Sequence, residues 1–256
     1  LCASADRRFL ASPRCAEFLC GWVDRDYANS AHSSLWSRVV CFMSRPYTDH
    51  DLSSILDADL IWRRKELSDM KAAIKAADPP SKPALMRAII AMSYAHWEGF
   101  VRTCANRYFE HLTLRRKSFV EFERQIYVNS FLGRLEALHL GRVSLNERCK
   151  LINDILDGES GRFSYLNPDL VDTRSNLNTD VIKEICLICG IDSNHFEQNR
   201  TFIDVLLVKR RNAIAHGQQE YIQTDEIDDL VANILGLMGS FRNLLENKVY
   251  TKGYAA

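Results

Sequence analysis

Arg211, Asn212 and His216 are the residues whose types and spacing say most about chemistry. They close the stretch Phe202-Ile203-Asp204-Val205-Leu206-Leu207-Val208-Lys209-Arg210-Arg211-Asn212-Ala213-Ile214-Ala215-His216-Gly217. The pattern predicts a helix from about Gln198 to His216, stopped by Gly217. Its first half is so apolar that the helix is expected to be largely buried. On that helix Asn212 and His216 are four apart and share a face. Arg211 stands five residues before His216, about 7.5 Å along the axis, which its long side chain can span. Histidine moves protons near neutral pH. Arginine is permanently charged, and its planar fork matches phosphate oxygens. The same residues also suit an ordinary helix end, with cations facing the negative pole of the macrodipole and glycine just beyond. On residue types alone, the helix-end reading is the stronger.

The elements that must position these residues read as helices throughout. Leu52, Ile55, Leu56, Leu60, Leu67, Met70 and Ile74 recur at threes and fours. Asp78-Pro79-Pro80-Ser81 stops that helix, and Pro83 suits the first turn of the next. The second helix carries Met86, Ile89, Ile90, Tyr94, Trp97, Phe100, Val101, Cys104 and Tyr108, and is apolar enough to be central. Further helices are predicted from Phe119 to Leu140, from a Ser144–Glu147 capping box to Gly158, from Thr179 to Cys189 before Gly190, and from Thr224 to Asn247. Residues 158–178 read as loop. The expected fold class is all-α, a bundle of five to seven helices.

Composition narrows the function classes. The chain has 33 basic and 33 acidic side chains and no net charge, so bulk cationic binding to nucleic acid is not expected. No apolar run is long enough to span a bilayer, and no membrane association is expected. Of eight cysteines, Cys186 and Cys189 form the one close pair in the main body. No second such pair and no histidine pair completes a metal site, so these two are expected in the core and no metal or cofactor is predicted. A reducing cytoplasm fits. Residues 1–42 contain Cys2, Cys15, Cys20 and Cys41 but no lysine. They are read as non-native upstream sequence, with Met43 as the start, or else as a poorly ordered extension. Residues 43–256 form the expected domain.

Arg211-Asn212 followed by His216-Gly217 resembles the arginine–histidine motif of the HEPN superfamily. Tyr94-Ala95-His96-Trp97-Glu98-Gly99-Phe100 is similar to the aromatic–Trp–Glu–Gly–Phe signature of one prokaryotic HEPN branch. Arg63-Arg64-Lys65-Glu66-Leu67, and Ser175-Asn176-Leu177 ahead of Gly190-Ile191-Asp192, extend the resemblance from about Met43 to Asn247. It implies a helical bundle that dimerises through the motif helix. Many such domains are metal-independent endoribonucleases of toxin–antitoxin or antiviral defence systems, and others are non-catalytic modules that bind nucleotide, RNA or a partner protein. The implied partners are RNA, a second copy of the chain and a cognate antitoxin. Catalysis would fall to Arg211, His216 and Asn212. Glu98 is a candidate to pair with Arg210 or Arg211 as support, or else a simple helix-surface carboxylate. Lys209, Arg115 and Arg116 are candidates to track an RNA backbone, although solvated helix faces explain such cations equally well. His96 is expected to be structural, and Gly99 to allow close helix approach.

Overall fold

The computed structural model describes residues 44–256 apart from Arg142 and Leu166, so the expectation for residues 1–42 lies outside the described residues. The helices are α1 (Asp49–Ala76), α2 (Lys82–Leu114), α3 (Arg124–His139), α4 (Leu145–Asp157), α5 (Thr179–Cys189), α6 (Asn194–Gln198), α7 (Arg210–Ala215) and α8 (Glu226–Tyr250). A π-helical segment, Thr201–Lys209, runs directly into α7. Among the described residues there is no β-strand, only the isolated bridges Ser118–Arg162 and Phe122–Ala255. The all-α bundle is as expected, with one α-helix among the described residues beyond the upper count: α6, a short helix that ends at Gln198, where the motif helix was expected to begin.

Local chemistry sets the helix ends. Thr48 and Asp51 cap α1 reciprocally: each side chain accepts from the other's backbone N–H. Pro83 lies in the first turn of α2. Ser144 and Glu147 form the expected capping box of α4. Gly190 ends α5 at φ +65°, where a side chain would be strained. The expected helix from Phe119 starts late, at Arg124. Residues Phe119–Glu121 make a 3-10 turn, and Glu123 N–H instead donates to Tyr254 O at 2.8 Å. That bond draws the chain toward the C-terminal segment before α3 can begin.

The three longest helices, α1, α2 and α8, pack on one another and hold the core. α2 is the central one: Trp97, Phe100, Val101, Cys104, Ala105, Tyr108 and Phe109 are fully buried along it. Burying each large apolar side chain contributes roughly 1.5–3 kcal/mol. Cys186 and Cys189 are also fully buried, as expected. Burial pushes the Cys186 thiol up to about 12, so it packs as a neutral thiol. No helix among the described residues is long and apolar enough to cross a membrane.

Candidate functional site

The motif helix is not one regular α-helix. Thr201–Lys209 winds as a π-helix, with i→i+5 bonding, and only from Arg210 does the chain tighten to α. Its buried residues are Ile203, Leu207 and Val208, spaced to suit the wider turn. Val205 and Leu206 stay 46% and 43% exposed. The expectation of a largely buried first half is therefore corrected. The wider turn aims one apolar strip at the core and leaves the other uncovered.

The end of α7 is well defined. Gly217 sits at φ +75°. Gly217 N–H donates to Ile214 O at 3.0 Å, and Gln218 N–H to Ala213 O at 2.9 Å. This is a Schellman cap, which needs a left-handed residue just past the helix. It fixes the backbone of His216, whose N–H donates to Asn212 O at 3.0 Å. The His216 imidazole is exposed and has no hydrogen-bond partner among the described residues.

Arg211 turns away from His216, toward α2 and the loop before α5. Its guanidinium carbon lies 3.7 Å from the Tyr94 ring centroid. Its Nη2 donates to Ser175 O at 2.8 Å. Beside it, Asn212 Nδ2 donates to Asn176 Oδ1 at 3.2 Å. No carboxylate among the described residues ion-pairs with Arg211. Two segments singled out by resemblance, at Tyr94 and at Ser175–Leu177, thus converge on a third.

The loop that meets Arg211 is tied down at several points. Thr173 is fully buried and its hydroxyl donates to Glu98 Oε1 at 2.6 Å. Leu177 N–H donates to the Tyr94 hydroxyl at 2.8 Å. The Thr179 N–H and hydroxyl donate to Asp204 Oδ1 at 2.7 and 2.9 Å, tying the start of α5 to the π-helical segment. Between these ties, Arg174 and Ser175 hold φ of 52° and 50°, a left-handed geometry that costs a non-glycine residue energy. Burial is the main reason that the Tyr94 phenol is raised to about 12, so it is neutral beneath the guanidinium.

The supporting residues fall differently from expectation. Glu98 pairs with neither Arg210 nor Arg211. It accepts from Thr173 and from Arg102, one turn along its own helix. Arg210 faces another side of α7, near Glu220 and Glu226, and donates to Tyr221 O at 2.6 Å. Lys209 is exposed and, with Arg210, Phe202, Leu206, Ile222 and Leu230, lines a groove of about 650 Å³. Arg115 pairs with Asp49 at 2.7 Å at the far end of α2. At the usual rise that is about 30 Å from Tyr94, and the exposed Arg116 follows it. Neither adjoins Arg211 on a short substrate. No three His, Cys, Asp or Glu side chains gather among the described residues in a way that could hold a metal ion.

The flank of α2 opposite Tyr94 carries a second polar cluster. Arg63 Nε donates to Asp59 Oδ2 at 2.7 Å, and both side chains are buried. Arg63 Nη1 donates to His96 O at 3.2 Å. The same Nη1 lies 3.4 Å from His96 Nδ1, and because a guanidinium only donates, Nδ1 is the acceptor. His96 Nε2 is 3.1 Å from Glu66 Oε2 but lacks hydrogen-bond alignment. A Cβ on Gly99 would stand 3.0 Å from Arg63 Nη1, so glycine lets the guanidinium sit a few tenths of an ångström closer than a side chain would allow. His96 is structural here, as expected. The role of Glu98 in holding the loop was missed, because nothing in the loop sequence pointed to Thr173.

The RiboL-PSP-HEPN family model matches residues 58–247, well over half of the chain, and the chain belongs to that HEPN family. The family carries with it a nucleotide- or RNA-related role. No curated protein and no solved structure matches the chain.

Proposed function

We propose that this domain is a metal-independent endoribonuclease of HEPN type, a toxin or defence effector of the cytoplasm. The observation that carries the reading is Arg211: a half-buried cation that has no carboxylate partner among the described residues, five positions before an exposed His216 whose imidazole has no hydrogen-bond partner among them. A cation held without a counter-charge is suited to an anion from outside, and phosphate fits its fork. In the reaction, the RNA 2′-hydroxyl attacks the adjacent phosphorus and an imidazole takes its proton. The bond from phosphorus to the 5′-oxygen breaks, and a second imidazole protonates the leaving oxygen. Arg211 offsets the charge on the phosphorane, and Asn212 orients its neighbours. One histidine does not serve both sides of a phosphorus, so a two-fold dimer supplies the second His216. The uncovered Val205 and Leu206 beside the groove are suited to such a contact. Lys209 would meet the RNA backbone next to the site. A cognate antitoxin is the expected further partner.

One observation favours a second reading, a non-catalytic HEPN module that binds nucleotide, RNA or a protein. Arg211 is already engaged by Tyr94 and Ser175 and makes no hydrogen bond to His216. The test is incubation of the full chain with labelled RNA in EDTA, with circular dichroism to confirm folding and light scattering to read the dimer. Cleavage is expected to leave a 2′,3′-cyclic phosphate and a 5′-hydroxyl. His216→Ala and Arg211→Ala should each lower the rate by at least about a hundredfold. Full cleavage by a folded His216→Ala protein, or cleavage that requires added magnesium, would leave the binding-module reading ahead.

A further inference from the structure

Two constraints fix the attitude of a flat cation: a surface for its plane and a bond for its rotation in that plane. Arg211 has both. Tyr94 supplies the surface, with the guanidinium carbon 3.7 Å from the ring centroid. Ser175 O supplies the bond, accepting from Nη2 at 2.8 Å. These are not separate supports. The Tyr94 hydroxyl accepts from Leu177 N–H at 2.8 Å, so the ring and the carbonyl belong to one hydrogen-bonded unit. Tyr94 itself is only 4% exposed, which leaves its ring little room to turn.

The unit is also held against its own preference. Arg174 and Ser175 are both left-handed without being glycine. Such backbone persists where surrounding bonds over-determine it, and it gathers at functional sites. Here those bonds are Thr173 to Glu98, Asn212 to Asn176 and Thr179 to Asp204. A loop that served only to connect α4 to α5 would need none of them.

We propose that Tyr94, acting with the Thr173–Leu177 loop, is the positioning residue that presents the Arg211 guanidinium to a phosphate of the RNA. The proposal rests on the phosphate role given to Arg211 above. Ring and carbonyl occupy one face and one nitrogen, and Nη1 remains to donate. The phenol is neutral at ordinary pH, so it stacks on the cation without cancelling the charge a phosphate must meet. Glu98 acts one step further back, as the anchor of the loop through Thr173.

The test compares Tyr94→Leu with Tyr94→Phe in the full chain. Leucine removes the stacking face, whereas phenylalanine keeps it and loses only the hydroxyl. With labelled RNA, Tyr94→Leu should lower kcat on the order of a hundredfold with little change in KM, and Tyr94→Phe should recover most of that loss. A folded Tyr94→Leu protein with wild-type kcat, or a higher one, overturns the proposal. Should Tyr94→Leu fail to fold, Ser175→Gly takes its place. It relieves the left-handed backbone and loosens the carbonyl, so kcat should fall while the melting temperature holds, and an unchanged kcat overturns the proposal. The Arg211 Nε–H resonance gives a readout that needs no cleavage. Ring current should displace it in wild type and Tyr94→Phe but not in Tyr94→Leu, and inorganic phosphate should move it most in wild type. If wild type cleaves no RNA, the nuclease reading fails alone. An equal phosphate response in wild type and Tyr94→Leu then overturns the positioning role, and a response reduced in Tyr94→Leu upholds it.

Discussion

Arg63 and Arg211 both lie against aromatic rings on opposite flanks of α2, Arg63 at 4.6 Å from the Trp62 centroid and Arg211 at 3.7 Å from that of Tyr94. Their surroundings differ in one decisive respect. Arg63 has a buried carboxylate, Asp59, at 2.7 Å, and the backbone oxygen of His96 as a second acceptor. Arg211 has a ring and a carbonyl oxygen, and no ion-pair partner among the described residues. The first charge is answered within the fold, so Arg63 joins α1 to α2 and has nothing left to offer. The second is oriented but unanswered. The two arginines therefore separate a charge answered within the fold from one that is not answered among the described residues.

Removing the two cations in turn should give the largest difference between the two flanks. Arg63→Ala leaves Asp59 buried and unpaired, which should cost about 3–5 kcal/mol of folding free energy, read by urea denaturation. Arg211→Ala should cost only about 0.5–1 kcal/mol, the worth of a partly exposed cation–π contact, while RNA cleavage is lost. Similar stability losses in the two variants would erase the distinction.

Gly99→Ala sharpens the Arg63 side. The added methyl would press on a guanidinium that cannot retreat, and should destabilise by about 1–3 kcal/mol. In an Arg63→Ala background the same change should become neutral or favourable, because alanine is then only a better helix former. Additive effects across the double-mutant cycle would show that Gly99 is glycine for another reason.

The smallest effect is that of pH. Burial first, and the Arg63 charge second, hold His96 below the ordinary histidine value of 6.5, although Glu66 and Asp59 pull the other way. The folded protein then binds fewer protons than the unfolded chain just below that pH. Stability is full above about pH 6.5 and falls as acid approaches the folded value. His111, buried beside Arg115, adds with the same sign. Melting temperature should drop between about pH 7 and 5. His96→Gln should flatten that drop, whereas an unaltered slope would place the sensitivity elsewhere.

Much of the fold was legible in the sequence, because its signals are local. Pro83, Ser144 with Glu147, and Gly190 each mark a helix end through bonds within a few residues, and each falls where expected. Gly99 was legible as a close approach, though not that the approaching group is Arg63. The candidate site was only half legible. The family resemblance, rather than residue type alone, picks out Arg211 and His216, but the direction of the Arg211 side chain is set by a ring 117 positions earlier in the sequence. The π-helical winding was hidden, since an apolar run looks the same in either helix. The left-handed pair Arg174 and Ser175 was hidden too, because neither is the glycine that usually signals such backbone. The pairing of Glu98 with Arg210 or Arg211 fails because Glu98 instead accepts from a loop threonine 75 residues away, of which the sequence gives no sign.

The loop ties have a consequence for the order in which the domain is made. Leu177 reaches back 83 residues to Tyr94, Thr173 reaches back 75 to Glu98, and Arg211 closes on Ser175 across 36 more. No local folding event can form these contacts, since each must close a long stretch of chain before it yields a bond. During synthesis α1 and α2 emerge well before their partners, while Arg211 and His216 follow only after α5 and α6. A nascent or truncated chain lacking residues beyond about 210 would hold Tyr94 and the loop but no cation to orient. The Tyr94 platform is thereby left without the Arg211 charge until the chain has passed the motif helix.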